Sequence, residues 1–402
     1  MTTTPTTTES PAAPAPAPRV YESDPKAFDV TVAQQALLRA LDKAVPVAQR
    51  KSAMPALACV LLEARDHRLR FGTTDLYQFV DGTIPAEIAA AESIAVDAKM
   101  LRERVAVMPP GPVRLRIRGG YALIESVGHA RRFEVPMLPG REMPLFPRPN
   151  GEPGFRIGAG VLALVIEAVI ASVADDETRP HVNSALVESD RVLRFVSTDG
   201  HRLQRVEVEL PQGAKPVPEG ALLPKAALHV LHKLAGGEAD RSKDAEAAVW
   251  FEGPHVFIEV ASVLHAVKLV SARFPPWRQV LPAQSGKRTI VAGREKLATL
   301  ARGVAIAADQ KRAIRVHLDP GRLRLVADSP EQGDASDEMD VSYAGPSMTL
   351  GVDARYLCQM LDGLARFETE EVTLDIDSEL DPMLLRARGD DRYLGVLMPM
   401  RV

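Results

Sequence analysis

Three stretches decide the fold: IAVDAKMLRERV at residues 94–105, ALLPKAALHVLHKL at 221–234 and LGVDARYLCQML at 350–361. Each reads as a short apolar strand, an Asp or Pro, a basic residue and then apolar residues at helical spacing. Asp97, Pro224 and Asp353 fill one slot, 127 and 129 residues apart. A second marker, LRFGTTD at 69–75, LRFVSTD at 193–199 and LRLVADS at 323–329, recurs at spacings of 124 and 130. A third opens each first helix: FDVTVAQQALLRAL from Phe28, FRIGAGVLALVIEAV from Phe155 and TIVAGREKLATL from Thr289. Three markers in one order, at nearly one period, point to three copies of a domain of about 125 residues.

Each copy reads as α+β, with two helices and a larger share of antiparallel strand. Strand-like patterns fall at 58–63, 113–118, 121–126, 185–188, 256–260, 314–318 and 372–376. The expected domains are 28–150, 151–284 and 285–402, with linkers at the Pro-rich run 144–153 and near 282–287. Residues 1–27 are mostly Thr, Pro and Ala up to Tyr21, with too little apolar surface to drive folding, so a disordered tail is expected there.

Composition narrows the function. Apolar residues make up 46% of the 402 and charged residues 25%, which suits a globular protein and excludes a fibrous one. The formal charge is −4, from 49 basic and 53 acidic residues, so any nucleic-acid contact must be confined to one face. No apolar run is long enough to span a membrane and the start has no signal-peptide pattern, which leads to the expectation of a cytoplasmic protein. Cys59 and Cys358 form no metal or redox pair and read as reduced, buried thiols.

The helices carry a repeated basic face. Arg39 and Lys43 lie four apart on the first helix, away from the stripe of Leu37, Leu41 and Val45; Lys99 and Arg102 flank the stripe of Leu101, Val105 and Met108. Lys225, His229, His232 and Lys233 follow in the second copy, and Arg294, Lys296, Arg302, Arg355 and Arg366 in the third. Each face alone reads as solvated surface. Repeated through an acidic chain, the set reads as a surface for phosphates, with Arg39, Lys43, Lys99, Arg102, Lys225, Lys233 and Arg302 as the DNA-facing candidates. Residues 161–170 carry only Glu167 and are the exception.

No motif for catalysis emerges. GxGxxG, the P-loop and HExxH are absent, and the His229/His232 pair has no completing carboxylate or thiol, so no cofactor or metal is expected. No helix-turn-helix pattern supports a base-reading regulator. Two stretches stand apart: 273–282, RFPPWRQVLP, reads as a packed connector or a rigid binding surface, and 396–402, VLMPMRV, as an apolar end held in the body.

With DDETRPHVNSALVE at 175, STDGHRL at 197, ARFPPWRQVLP at 272, SPEQGDASDEMDVSY at 329 and the final VLMPMRV, the chain from Phe28 onward resembles the beta subunit of bacterial DNA polymerase III, the sliding clamp family. The resemblance implies a non-catalytic, nucleoid-associated protein of three similar domains, closing as a head-to-tail homodimer around duplex DNA. It would tether the replicative polymerase, clamp loader and repair proteins through short linear motifs. Carried over by motif, the peptide pocket comprises Thr198, Gly200, His201, Arg202 and Leu203, then Pro275 and Val280, then Val396, Leu397, Met398, Pro399 and Met400. His201 and Arg202 are expected at its rim as donors. The chain departs from the family at Pro276, Trp277 and Gln279 and in the acidic run 377–382, which leaves open a specialised second clamp or an interaction scaffold.

Overall fold

The computed structural model describes residues 28–49, 52–281, 288–309, 312–330 and 332–401. The tail through residue 27 and the expected second linker at 282–287 lie outside the described residues. Six α-helices occur among the described residues: α1 (Gln34–Ala44), α2 (Ala98–Ala106), α3 (Ala159–Ile170), α4 (Lys225–Ala239), α5 (Arg294–Ala305) and α6 (Ala354–Leu364). Two fall in each copy of the repeat.

The repeated slot before the second helix has a local cause. The Asp97 carboxylate accepts from Met100 N at 2.7 Å and that of Asp353 from Tyr356 N at 3.0 Å, each satisfying a free donor of the first helical turn. Pro224 offers no such acceptor; its ring fixes φ at −65°, and with ψ at 149° the backbone is extended where α4 departs. Behind the caps the helices bury one face, Leu37 and Leu41 in α1 and Leu101 and Val105 in α2, while Val45 is only partly covered.

The strand readings at 58–63 and 372–376 become Cys59–Arg65 and Glu371–Ile376, and Tyr121–Ser126 is a strand as read. In the second copy one antiparallel sheet runs Ala221–Pro224, Ser184–Ser189, Val192–Thr198, Arg202–Glu209. The other runs Phe155–Gly158, Glu246–Glu252, His255–Val260, Val263–Lys268. The third copy repeats both orders, ending its sheets on Gly333–Asp340 and Asp390–Leu397. The first copy follows the same plan with a short extra strand, Glu87–Ala90, beside Asp29–Ala33.

Sheets pass from one copy into the next. Gln78–Pro85 of the first pairs antiparallel with Val263–Lys268 of the second, Gly82 opposite Val263. Arg202–Glu209 of the second pairs with Asp390–Leu397 of the third, Gln204 opposite Gly395. At both joints a glycine leaves room for a neighbour: a Cβ on Gly82 would lie 2.6 Å from the Phe71 ring, and one on Gly395 2.3 Å from Met360 Cε. Neighbouring helices touch in the order α2, α1, α4, α3, α6, α5, one continuous row across all three copies.

The second joint is pinned by a buried polar cluster. The Gln204 amide donates to Tyr393 Oη at 2.8 Å and accepts from Ser172 Oγ, and Tyr393 Oη donates to Met360 O at 3.3 Å. Burial pushes the Tyr393 hydroxyl well above its ordinary pKa, so it stays a neutral donor. Tyr393→Phe should therefore leave the Gln204 amide without its acceptor and lower stability by about 1–3 kcal/mol, read as a lower urea midpoint.

Candidate functional site at the junction of the second and third repeats

The hairpin between Val192–Thr198 and Arg202–Glu209 is closed by three residues, Asp199, Gly200 and His201. Gly200 sits at φ +95°, a conformation that excludes most side chains. Asp199 organises the turn, accepting from His201 N at 2.9 Å and Arg202 N at 3.1 Å, while Thr198 Oγ1 donates to Arg202 O at 2.7 Å. The chain end lies alongside. Met398 N donates to His201 O at 2.9 Å and Met400 N to Gly351 O at 2.8 Å, so the terminal apolar segment is held in the body through Met400.

Arg202 does not stand at a rim. It is 5% exposed, and its guanidinium is spent inside the joint: on Asp199 at 3.1 Å, on Gln359 Oε1 of α6 at 2.6 Å, on Ala171 O, and over the Tyr356 ring at 4.1 Å. The turn expected to offer a donor edge is a staple between the second and third copies. His201 is exposed, stacked on Tyr356 with ring centroids 6.4 Å apart.

The other pocket candidates divide in the same way. Leu203, Val396 and Leu397 are buried, the first two in a cluster with Leu186, Leu222, Phe274, Trp277, Leu384 and Leu394. Pro275 and Val280 are half-buried, Val280 against that cluster. Met398, Pro399 and Met400, also half-buried, line a cavity of about 210 Å³ with His201, Asp353 and Tyr356. Asp353 and Tyr356 were absent from the sequence-derived pocket. Their signal was present in the helix-opening marker, where a cap and an aromatic stand three residues apart. Beside this cavity lies a larger one of about 530 Å³, walled by His201 and Arg202 together with Ala171, Val173, Arg179, Lys225, Arg355 and Gln359 among others.

Trp277 packs the described part of the 273–282 stretch, 273–281, against the body. Its ring is buried, and Arg278 lies over it at 4.3 Å while donating to Glu188 at 2.6 Å. The departing residues Pro276 and Gln279 face solvent.

The basic candidates lie on the helical row with unequal freedom. Arg39, Lys99 and Lys233 are exposed; Lys99 has only a loose contact with Glu103 at 3.8 Å, and Lys233 donates to Asp42 O at 3.2 Å. Arg102 pairs with Asp42 at 2.6 Å and Arg302 with Asp362. Lys43 is half-buried and bound to Glu238 of α4 at 2.8 Å, joining the first and second copies. Lys225 is likewise half-buried, bonded to Val173 O and Asp175, both at 2.7 Å. Its ammonium holds the Asp175 carboxyl below the usual range. Glu167, the lone charge of α3, is met by Arg366 at 2.9 Å and His232 at 3.4 Å. No group of His, Cys, Asp and Glu among the described residues could hold a metal ion. Burial raises the thiol pKa of Cys59 to about 12 and that of Cys358 to about 11, leaving both as inert thiols.

Family models for the N-terminal, central and C-terminal domains of the DNA polymerase III beta subunit match residues 28–147, 156–276 and 278–401. The chain belongs to the DNA polymerase III beta subunit family. Its function is that of a sliding clamp, a non-catalytic processivity factor in DNA replication. The beta sliding clamp of Caulobacter vibrioides is 28% identical over 381 residues, covering 93% of this chain and all of that one. That of Escherichia coli is 26% identical over 92% of this chain and 99% of its own. Among solved structures, the Caulobacter crescentus clamp superposes with a TM-score of 0.86 at 26% identity, covering 94% of this chain and 100% of its own. The Pseudomonas aeruginosa clamp bound to griselimycin gives 0.84 at the same identity and coverage.

Arg202→Ala strands Asp199 and Gln359 inside the joint and should cost about 3–5 kcal/mol, the penalty for breaking a buried pair. A urea titration followed by circular dichroism reads it; a loss below about 1 kcal/mol, the range of an exposed ion pair, would return Arg202 to the surface.

Proposed function

We propose that two copies of this chain close head to tail into a ring around duplex DNA. One observation carries this reading. Both internal joints pair the last strand of one copy's first sheet with the last strand of the next copy's second sheet. By the same rule one strand remains at each end, Gly333–Asp340 of the third copy and Arg132–Pro139 of the first. Gly333–Asp340 is a sheet edge, and an edge of this kind is a template for pairing. Their charges are complementary: Asp334, Asp337, Glu338 and Asp340 are exposed on one, and Arg131 and Arg132 are exposed at the start of the other. Such a contact is heterologous, so it must close after a fixed rotation.

Three domains spanning 28–150, 151–284 and 285–402 are the units of this assembly, and the family matches support those limits to within several residues. The helical row supplies weak, sequence-independent phosphate contacts, with Arg39, Lys99 and Lys233 as the charges least engaged within the chain. Lys43 and Lys225 serve mainly to hold the joints. The cavity at Met398–Met400 takes short apolar motifs of the polymerase, the clamp loader and repair proteins. A cytoplasmic, nucleoid-associated location accompanies that role.

Asp334→Lys with Asp337→Lys should convert a dimer to a monomer in sedimentation; a persisting dimer would place the interface elsewhere. Replacing Arg39, Lys99 and Lys233 with Ala should preserve the dimer yet weaken DNA binding, with the slope of log K against log salt flattening by about 0.9 for each phosphate no longer neutralised. Met400→Ala should weaken a polymerase-derived peptide at least about tenfold while the protein stays folded, the expectation for an anchor wall. Retention of the dimer on circular but not linear DNA after loading tests the ring as a whole.

A further inference from the structure

The loop joining Glu371–Ile376 to Met383–Ala387 reads Asp377, Ser378, Glu379, Leu380, Asp381, Pro382, and it borders the cavity proposed above. Met383 pairs with Leu397, so Pro382 lies next to Met398. On its other flank Glu379 Oε1 accepts from Thr349 N at 3.0 Å, two residues before Gly351, which bridges to Met400. The loop therefore brackets the Met398–Met400 wall. Asp353 adds a further carboxylate to the cavity itself.

None of Asp353, Asp377, Glu379 and Asp381 has a cationic partner within ion-pair distance among the described residues. Their contacts are with neutral donors: Tyr356 N for Asp353, Thr349 N for Glu379 and Ser378 Oγ at 2.6 Å for Asp381. One carboxylate oxygen of Asp377 is covered without any partner. Arg355 and Arg401 are exposed nearby in sequence, yet Arg355 turns to the Tyr356 ring at 5.0 Å. At the loop tip Leu380 is 72% exposed, an apolar shelf among acids.

Resting on the reading of this cavity as a motif pocket, we infer that its occupant is a short peptide with apolar anchors flanked by Lys or Arg. The anchors fill the Met398–Met400 cavity and lie against Leu380, while the flanking cations meet Glu379 and Asp381. An acidic flank would face uncompensated like charge, so the loop sorts partners by the charge beside their motif rather than by the motif alone.

The test uses the full-length protein and two fluorescent peptides that share one Leu- and Phe-containing core, one with two flanking Lys and one with two flanking Glu. At low salt the Lys-flanked peptide should bind at least about fivefold tighter, the yield expected of two exposed ion pairs. The difference should vanish in high salt and in the Glu379→Gln/Asp381→Asn variant, which keeps both acceptor oxygens and so keeps the loop's own hydrogen bonds. Equal binding of both peptides, or a preference that survives in the variant, overturns the sorting role and leaves the pocket standing. Binding of neither peptide overturns both.

Discussion

Pairing between strands of different repeats is the interaction on which the molecule depends. Each joint is a main-chain ladder, not a loose contact of finished domains, so the two sheets that meet there act as one. The apolar cores follow the ladders. The first copy's core takes in Val230, Leu234 and Val263 of the second, and one cluster spans the second and third. Ion pairs finish the joints from the helical side, Lys43 with Glu238 at the first and Arg366 with Glu167 at the second. The helical row is a product of this arrangement, because each ladder sets the next pair of helices beside the last.

The same ladder builds the candidate pocket. Arg202 opens the strand that pairs with Asp390–Leu397, and its guanidinium reaches across to α6. The end of the chain therefore leaves the ladder beside His201, where Met398, Pro399 and Met400 become a half-buried wall. The candidate pocket is a by-product of a rigid joint, and rigid walls would let it hold the proposed peptide at low entropic cost.

Much of this was legible in the sequence, and the reason is repetition. Asp97, Pro224 and Asp353 each stand at the end of a strand before a helix, and a pattern seen three times carries its own check. Strand alternation and helical stripes are local signals, and the seven strand-like patterns bounded from them each fall within two residues of a strand. What escaped was long-range. Lys43 and Glu238 lie 195 residues apart, and Arg202 and Gln359 157 apart, so no local pattern tells that those side chains already hold partners. Leu203, Val396 and Leu397 read as pocket walls because they are apolar, whereas burial against the Trp277 connector makes them core. Tyr356 was hidden for the opposite reason: a helical aromatic ordinarily reads as packing.

Gly82 carries a consequence for assembly. It sits in a joint strand where Phe71 of its own copy fills the space of the missing Cβ and Val263 Cγ2 of the second copy comes within 3.0 Å of it. Sliding the first ladder by two residues would restore the alternation of faces but shift a whole domain by about 7 Å and set a different side chain against that glycine in place of Val263. Gly82 thus acts as a detent that indexes the second repeat against the first. In the proposed ring, an arc with a two-residue error at that joint would miss its partner edge after half a turn and grow as a spiral instead of closing.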